Sequence, residues 1–312
     1  MVTRVTLKAD IVAGLIGAVV VLPQAIAFGI LAGVGPEYGL YCAMVPAFVA
    51  AFFGSSRHAV FGPTNSVSLV VFATLAPLAL PGSPQYISYA ITLAFMSGIL
   101  MLAMGLARAG ALMNFISQSV VIGFTAATGV LIIASAFRDF SGIAIPPGTG
   151  PMQTLIDSLG RLDELQPWTL AVALATLLAG IASRHYRPKF PYMISALVAG
   201  CVVAALIRLA LGEAAGLKMV NAIPASFPPL SQPDLSLETL RKLGGIAIAV
   251  TLLSVTQGMS ITRAVAMRSG QRIDANQEFF GQGLSNLAAG FFSGYPSSAS
   301  VNRTGMNYDA GA

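Results

Sequence analysis

The sequence predicts an all-α polytopic membrane protein, and two observations carry that prediction. Only 9% of its 312 residues are charged while 55% are hydrophobic, and the hydrophobic ones gather in long runs. An average soluble domain is about a quarter charged. Its surface must face water, whereas a surface that faces lipid needs no charge.

Hydropathy places spans at residues 11–33, 39–53, 86–106, 119–137, 168–183, 191–211, 245–267 and 277–292. A span needs about 20 apolar residues, fewer where the helix is broken. The first run follows Arg4 and Lys8 and passes through Ala25-Ile26-Ala27, a pattern shared with signal peptides. It is longer than the apolar core of about 7–15 residues that such peptides carry, so it reads as a retained first helix. Pro23 and Pro46 interrupt spans, which is tolerated where the freed backbone faces protein or a watery cavity. Small residues at Ala13, Gly14, Gly17, Ala18, Ala25 and Ala27 predict close helix approach along the first span.

Residues 63–80 and 298–312 break the pattern. Each run opens on Pro, Ser, Thr or Asn after an extended, glycine-containing stretch, as a half-helix does when it begins inside the membrane.

The net charge of +5 comes from 17 Lys and Arg scattered in ones to threes, so no basic stripe for nucleic acid forms. With the N-terminus inside, the inner segments hold ten bases (Arg4, Lys8, Arg57, Arg108, Arg184, Arg187, Lys189, Arg263, Arg268, Arg272) and the outer ones five (Arg138, Arg161, Lys218, Arg241, Lys242). Asp10, Asp274 and Glu278 are placed inside on the same count, and Glu37, Asp139, Asp157, Asp163, Glu164, Glu213, Asp234 and Glu238 outside. That asymmetry predicts a multi-pass inner or plasma membrane protein with a cytoplasmic N-terminus. An enzyme is not predicted. His58 and His185 lie in basic loops, no His/Cys/Asp cluster has metal spacing, and no phosphate-cradling loop follows a strand. No cofactor is expected, and Cys42 and Cys201, inside apolar runs, read as packing residues.

Two stretches repeat a layout. Gln24 lies 39 residues before Pro63 and Gln257 lies 39 residues before Pro296, an offset of 233 between copies. In each copy a long span with a glutamine is followed by a second span and then by a polar helix start. The topology gives the two copies opposite orientation, the pattern of an inverted repeat whose substrate lies near the midplane. Gly62-Pro63-Thr64-Asn65-Ser66 and Pro296-Ser297-Ser298-Ala299-Ser300-Val301-Asn302-Arg303 would each expose unpaired backbone N–H groups and about half a positive charge. Two such starts meeting end to end make an anion site from backbone alone. A buried Arg303 costs about 2.5–3.5 kcal/mol on insertion scales, so it should face a cavity or a partner. Plainer readings remain beside these. Thr64, Asn65 and Ser66 also suit an ordinary helix cap, Arg303 can snorkel to the surface, and Gln24 and Gln257 can join helices by hydrogen bonds.

Leu22-Pro23-Gln24-Ala25-Ile26-Ala27, Gly39-Leu40-Tyr41, Phe53-Gly54-Ser55-Ser56-Arg57 and Gly62-Pro63-Thr64 form one block that resembles the sulfate permease (SulP) carriers. Asn276-Gln277-Glu278, Gln282-Gly283-Leu284-Ser285-Asn286, Phe291-Phe292, Tyr295-Pro296, Arg303-Thr304 and Asn307 form the second. The resemblance implies an inverted-repeat (7+7) transporter fold with two half-helices, divided into core and gate domains and usually followed by a cytoplasmic STAS domain. It also implies an anion held between the third and tenth segments, with Gln24, Phe28 and Gln257 as flanking contacts.

On that reading residues 1–242 are the first repeat and 243–312 the start of the second, which is expected to be incomplete because the sequence ends at Ala312 in the tenth segment. The STAS domain is absent from these residues. Many SulP members carry a carboxylate where Gln257 stands, and glutamine cannot titrate, so exchange or uncoupled anion movement is expected over proton or sodium symport. The expected function is secondary transport of inorganic anions, sulfate first and the bicarbonate class behind it. The alternatives are a bicarbonate/chloride exchanger, an anion channel or voltage-responsive protein on the same scaffold, a nucleobase transporter, or an inactive fragment. The expected partners are the anion and the lipid bilayer, with a homodimer as an admissible assembly.

Overall fold

The computed structural model of the protein describes residues 4–111, 151–186, 192–217 and 226–312, with scattered positions between 123 and 145. Most of the expected span 119–137 and the charges Arg138, Asp139, Arg187, Lys189 and Lys218 lie outside the described residues. By internal contacts the chain forms two compact units, Met1–Gly123 with Ile223–Ala312, and Phe124–Ala222.

In chain order the first unit contains α1 (Arg4–Leu31), α2 (Pro36–Phe53), β1 (Phe61–Gly62), α3 (Asn65–Leu75) and α4 (Pro84–Leu106). The second contains α5 (Pro151–Gly160), α6 (Pro167–Tyr186) and α7 (Tyr192–Leu211). The first unit then resumes with α8 (Leu237–Ser269), α9 (Ala275–Phe291), β2 (Ser298–Ala299) and α10 (Val301–Asp309).

Local chemistry sets several of these ends. Pro36 and Pro84 occupy the first turns of α2 and α4, where a missing N–H costs nothing, and Ser83 Oγ caps α4 by accepting from Tyr86 N. Ser236 caps α8 in the same way through Thr239 N. The expected half-helix 63–80 is shorter than the hydropathy suggests: α3 ends at Leu75, and Pro77 and Pro81 follow, neither able to donate to a continuing helix.

Six helical stretches among the described residues are long and apolar enough to cross a membrane: Ala9–Leu31, Pro36–Phe53, Pro84–Leu106, Pro167–Tyr186, Tyr192–Ala215 and Leu237–Ser269. Leu15, Phe48 and Phe52 are 64–70% exposed on α1 and α2, which suits lipid and would be a liability in water. With 33 residues, α8 is about 50 Å long and outreaches a hydrocarbon core of about 30 Å.

The run 277–292 differs from its expected role as an apolar span. It is the 17-residue helix α9, and it buries the polar side chains Glu278, Gln282, Ser285 and Asn286 alongside Phe279 and Ala289. Its neighbours α2 and α4 surround it closely through glycines. A Cβ on Gly98 would stand 2.6 Å from Leu287 N, and one on Gly283 would stand 2.7 Å from Leu102 N. Glu278, expected in an inner loop, is therefore interior. On α1 the close approach occurs at Ala25 and Gly29, against Gly39 of α2, while Gly14 and Gly17 meet nothing within 4 Å.

The core beneath the site joins Val67, Val71 and Leu75 of α3 to Tyr86, Tyr89 and Leu93 of α4, Leu243, Ala247 and Val250 of α8, and Tyr295. In the second unit α6 and α7 pack together, with Gly200 against Thr176.

Candidate functional site

Two helix starts lie side by side because the segments before them pair. β1 and β2 form an antiparallel ladder in the register Phe61↔Ala299 and Gly62↔Ser298, and Ser300 N donates to Val60 O at 3.1 Å beyond it. α3 and α10 leave the ladder immediately afterwards, capped by Thr64 and Ser300. Before α3, Pro63 stands just ahead of the cap. Before α10, Pro296 stands four residues ahead of it, because Ser298 and Ala299 are drawn into the ladder instead of opening the helix.

The caps are weak. Thr64 Oγ1 accepts from Val67 N at 3.4 Å, and Ser300 makes no side-chain cap bond, which leaves the first-turn amides Val301, Asn302 and Arg303 without a partner from the cap. Val301 and Asn302 have exposed side chains, so their contribution to the cluster is main chain.

Arg303 is 2% exposed. Its Nη2 donates to Pro63 O at 2.8 Å, while Nε and Nη1 have no hydrogen-bond partner among the described residues. A guanidinium with two idle donors in the interior asks for an acceptor. Arg303 also borders a cavity of about 740 Å³, whose wall includes Gly14 and Gly17 of α1, Tyr41 and Ala43 of α2, and Met306 and Asn307 of α10.

Gln257 on α8 joins the two starts. Its Oε1 accepts from Ser66 Oγ at 2.7 Å and its Nε2 donates to Ala299 O at 3.2 Å. Gln24 and Phe28, both half-buried, lie on α1, which packs beside both α3 and α10. The Gln24 side chain makes no hydrogen bond among the described residues. The structure thus links Pro63, Ser66, Gln257, Ala299 and Arg303 directly, and Asn65 sits half-buried at the first position of α3.

Several supporting residues carry no function in the sequence reading. Asn286 holds the peptide of Ser297 from both sides, accepting from Ser297 N at 2.7 Å and donating to Ser297 O at 3.3 Å. Tyr295 OH shares a hydrogen bond of 2.9 Å with Ser68 of α3, and Cys42 Sγ donates to Tyr295 O at 3.2 Å. Ser298 Oγ and Gln282 Nε2 both donate to Ser254 O. Cys42 is thus buried and bonded, whereas Cys201 is exposed on α7. The only prior signal for Asn286 and Tyr295 was their place in the family-like motifs.

Fold and site together define a helical, multi-pass membrane protein with two helix starts buried side by side. The chain belongs to the sulfate permease family, whose model matches residues 7–312. It is 32% identical over 302 residues to the probable sulfate transporter MT1781 of Mycobacterium tuberculosis (strain CDC 1551 / Oshkosh), covering 96% of this chain and 53% of that protein. It is 31% identical over 315 residues to sulfate transporter 4.1, chloroplastic, of Arabidopsis thaliana, covering 98% of this chain and 45% of that protein. The chain thus spans about half the length of the curated relatives it matches. Among solved structures it is similar to the transmembrane domain of the cyanobacterium bicarbonate transporter BicA, with a TM-score of 0.80, 26% identity and coverage of 99% and 79% of the two chains. The murine Solute Carrier 26 family member A9 anion transporter, in its inward-facing state, shares the fold at a TM-score of 0.83 and 23% identity, over 98% of this chain and 53% of that one.

Proposed function

We propose that this chain holds the anion site of a secondary transporter of inorganic anions, with sulfate as the first substrate and the activity belonging to the complete protein. The observation that carries the reading is Arg303, a buried guanidinium with Nε and Nη1 idle beside two weakly capped helix starts. The anion would sit between the N-termini of α3 and α10, where main-chain amides, helix dipoles and the guanidinium act together. Gln24, Phe28 and Gln257 would flank it, and the N-terminus would lie in the cytoplasm of a cell with the protein in its inner or plasma membrane. Transport would proceed by alternating access between two inverted repeats, the second beginning near residue 243. With glutamine rather than a carboxylate at Gln257, anion exchange suits the site better than proton or sodium symport.

A bicarbonate substrate is the second reading, favoured by the likeness to the bicarbonate transporter's transmembrane domain. Uptake of labelled sulfate into liposomes carrying the complete protein tests both. Saturable uptake with trans-stimulation by a counter-anion is expected. Stronger competition by bicarbonate than by unlabelled sulfate would shift the substrate, uracil competition would move it to nucleobases, and flux without saturation would indicate a channel. Arg303→Ala is expected to weaken sulfate uptake at least tenfold, and unchanged apparent affinity would remove Arg303 from the site.

A further inference from the structure

We infer that Glu278 is a positioning residue for the proposed anion site, holding in place the segment that delivers β1 and Pro63 to Arg303. The inference rests on the proposed reading of the site and concerns a side chain that lies outside it.

The segment from Gly54 to Val60 links α2 to β1. A connecting loop ordinarily leaves many of its amides to water. Here every one is bonded within the protein. Gly54 N donates to Ala50 O at 2.8 Å, and Ser55 N and Ser56 N donate to Glu278 Oε2 at 2.9 and 3.1 Å. Arg57 N donates to Gln271 Oε1 at 3.2 Å, while His58 N and Ala59 N donate to Ser56 Oγ at 3.3 and 3.1 Å. Val60 N donates to Thr304 Oγ1 of α10 at 3.0 Å. The next residues are the ladder itself and Pro63, whose carbonyl holds Arg303.

Glu278 is the anchor of that chain of bonds. It is 1% exposed, in the first turn of α9, and its Oε2 also accepts from Ser55 Oγ at 3.0 Å. Its Oε1 accepts from Thr262 Oγ1 of α8 at 3.3 Å. One carboxylate therefore fixes α8, α9 and the 54–60 segment to one another. Three donors converge on a single oxygen, an arrangement that an ionised acceptor strengthens about twofold over a neutral amide. Gln271 adds a second tie, since its Nε2 donates to Ser55 O at 3.0 Å. Loosening the anchor lets the segment shift along α9, and Pro63 O shifts with it. Arg303 would then present its two idle donors to the wrong place.

The test uses the purified complete protein as wild type, Glu278→Gln, Gln271→Ala, and Ser231→Ala as a control in a different loop. Hydrogen exchange is read over residues 54–60, labelled sulfate binding by scintillation proximity, and uptake in liposomes. Glu278→Gln is expected to speed exchange by about tenfold and weaken sulfate binding by about three- to tenfold, as a change of about 0.7–1.4 kcal/mol in hydrogen bonding would produce. Maximal uptake per folded protein is expected to stay within about twofold. Gln271→Ala is expected to act in the same direction, and it decides the matter if Glu278→Gln fails to fold. Unchanged exchange overturns the inference, as does faster exchange with unaltered sulfate affinity, which would make Glu278 a brace without influence on the site. Wild-type protein that binds sulfate but shows no saturable uptake would defeat the transport reading alone.

Discussion

Ser66 and Gln257, 191 residues apart, share a hydrogen bond of 2.7 Å in which the serine Oγ donates to the glutamine Oε1. The other end of the same amide donates to Ala299 O at 3.2 Å, so one side chain spans both helix starts. An amide can do this because it offers an acceptor and a donor on separate atoms in every protonation state.

Gln257→Glu should therefore introduce a pH dependence into sulfate affinity. A protonated carboxyl reproduces both hydrogen bonds, whereas the carboxylate has no proton for Ala299 O and adds negative charge beside the anion. Sulfate affinity is expected to be near the wild-type value in acid and to fall severalfold towards neutral pH. A flat affinity profile across that range would take Gln257 out of the site.

Gly62→Ala should disturb the guanidinium without removing it. Gly62 has φ +150, and a Cβ there would stand 3.2 Å from Arg303 Nη2 and 3.4 Å from Ala43 Cα. A strained backbone of this kind costs about 1–3 kcal/mol. The expected outcome is a lower unfolding temperature together with weaker sulfate binding, checked by thermal unfolding with and without sulfate. An unfolding temperature equal to wild type would show that the segment relaxes freely.

Asn286→Ala should be among the most destabilising substitutions in α9. It leaves the N–H and the carbonyl of Ser297 unpaired in the interior, at about 1–3 kcal/mol for each group. Asn286→Asp keeps the acceptor but turns a carboxylate towards Ser297 O and Gln282 O, so it should not rescue stability. Unfolding temperatures of the two variants check this, and a stable Asp variant would contradict the bonding described.

Asp234, in the turn before α8, links stability to pH. The Thr239 hydroxyl, donating to Oδ2 at 2.6 Å, and then the Ser236 backbone N–H, donating to Oδ1 at 3.0 Å, hold its carboxyl below the ordinary value of 3.8. A folded-state value below the unfolded one means that the stabilisation is fully present above about pH 3.8 and is lost as pH falls through the folded value. Asp234→Asn should thus lower the unfolding temperature slightly at pH 6, and the difference between the two proteins should shrink as pH falls below 3.8. Equal unfolding temperatures at pH 6 would show that the two bonds contribute nothing to stability.

Much of the helical order was legible because lipid-facing helices write their composition into the sequence. The two polar helix starts were legible too, since Thr64 with Ser66 and Ser300 with Arg303 are residues that hydrocarbon would not tolerate without a partner. The ladder was not. Its strands are two residues each, too short for any alternation to register, and their pairing depends on partners 236 and 238 residues away. The role of α9 was hidden for a different reason: its polar face is compensated by neighbours, so Glu278 reads as an inner charge and Asn286 as part of an apolar span until those neighbours are in place. Gly14 and Gly17 mislead in the opposite sense, because a small residue signals both close packing and empty space, and here it borders the cavity.

The ladder between β1 and β2 is built from main chain, and this decides which changes the protein can absorb. Replacing the side chain of Phe61 or Ala299 leaves the paired amides and carbonyls where they are. Inserting or deleting one residue between Phe53 and Phe61 would instead slip the register by a step and turn alternate residues to the opposite face. Pro63 would then no longer offer its carbonyl to Arg303. Loop length, more than loop spelling, is what this part of the chain has to preserve.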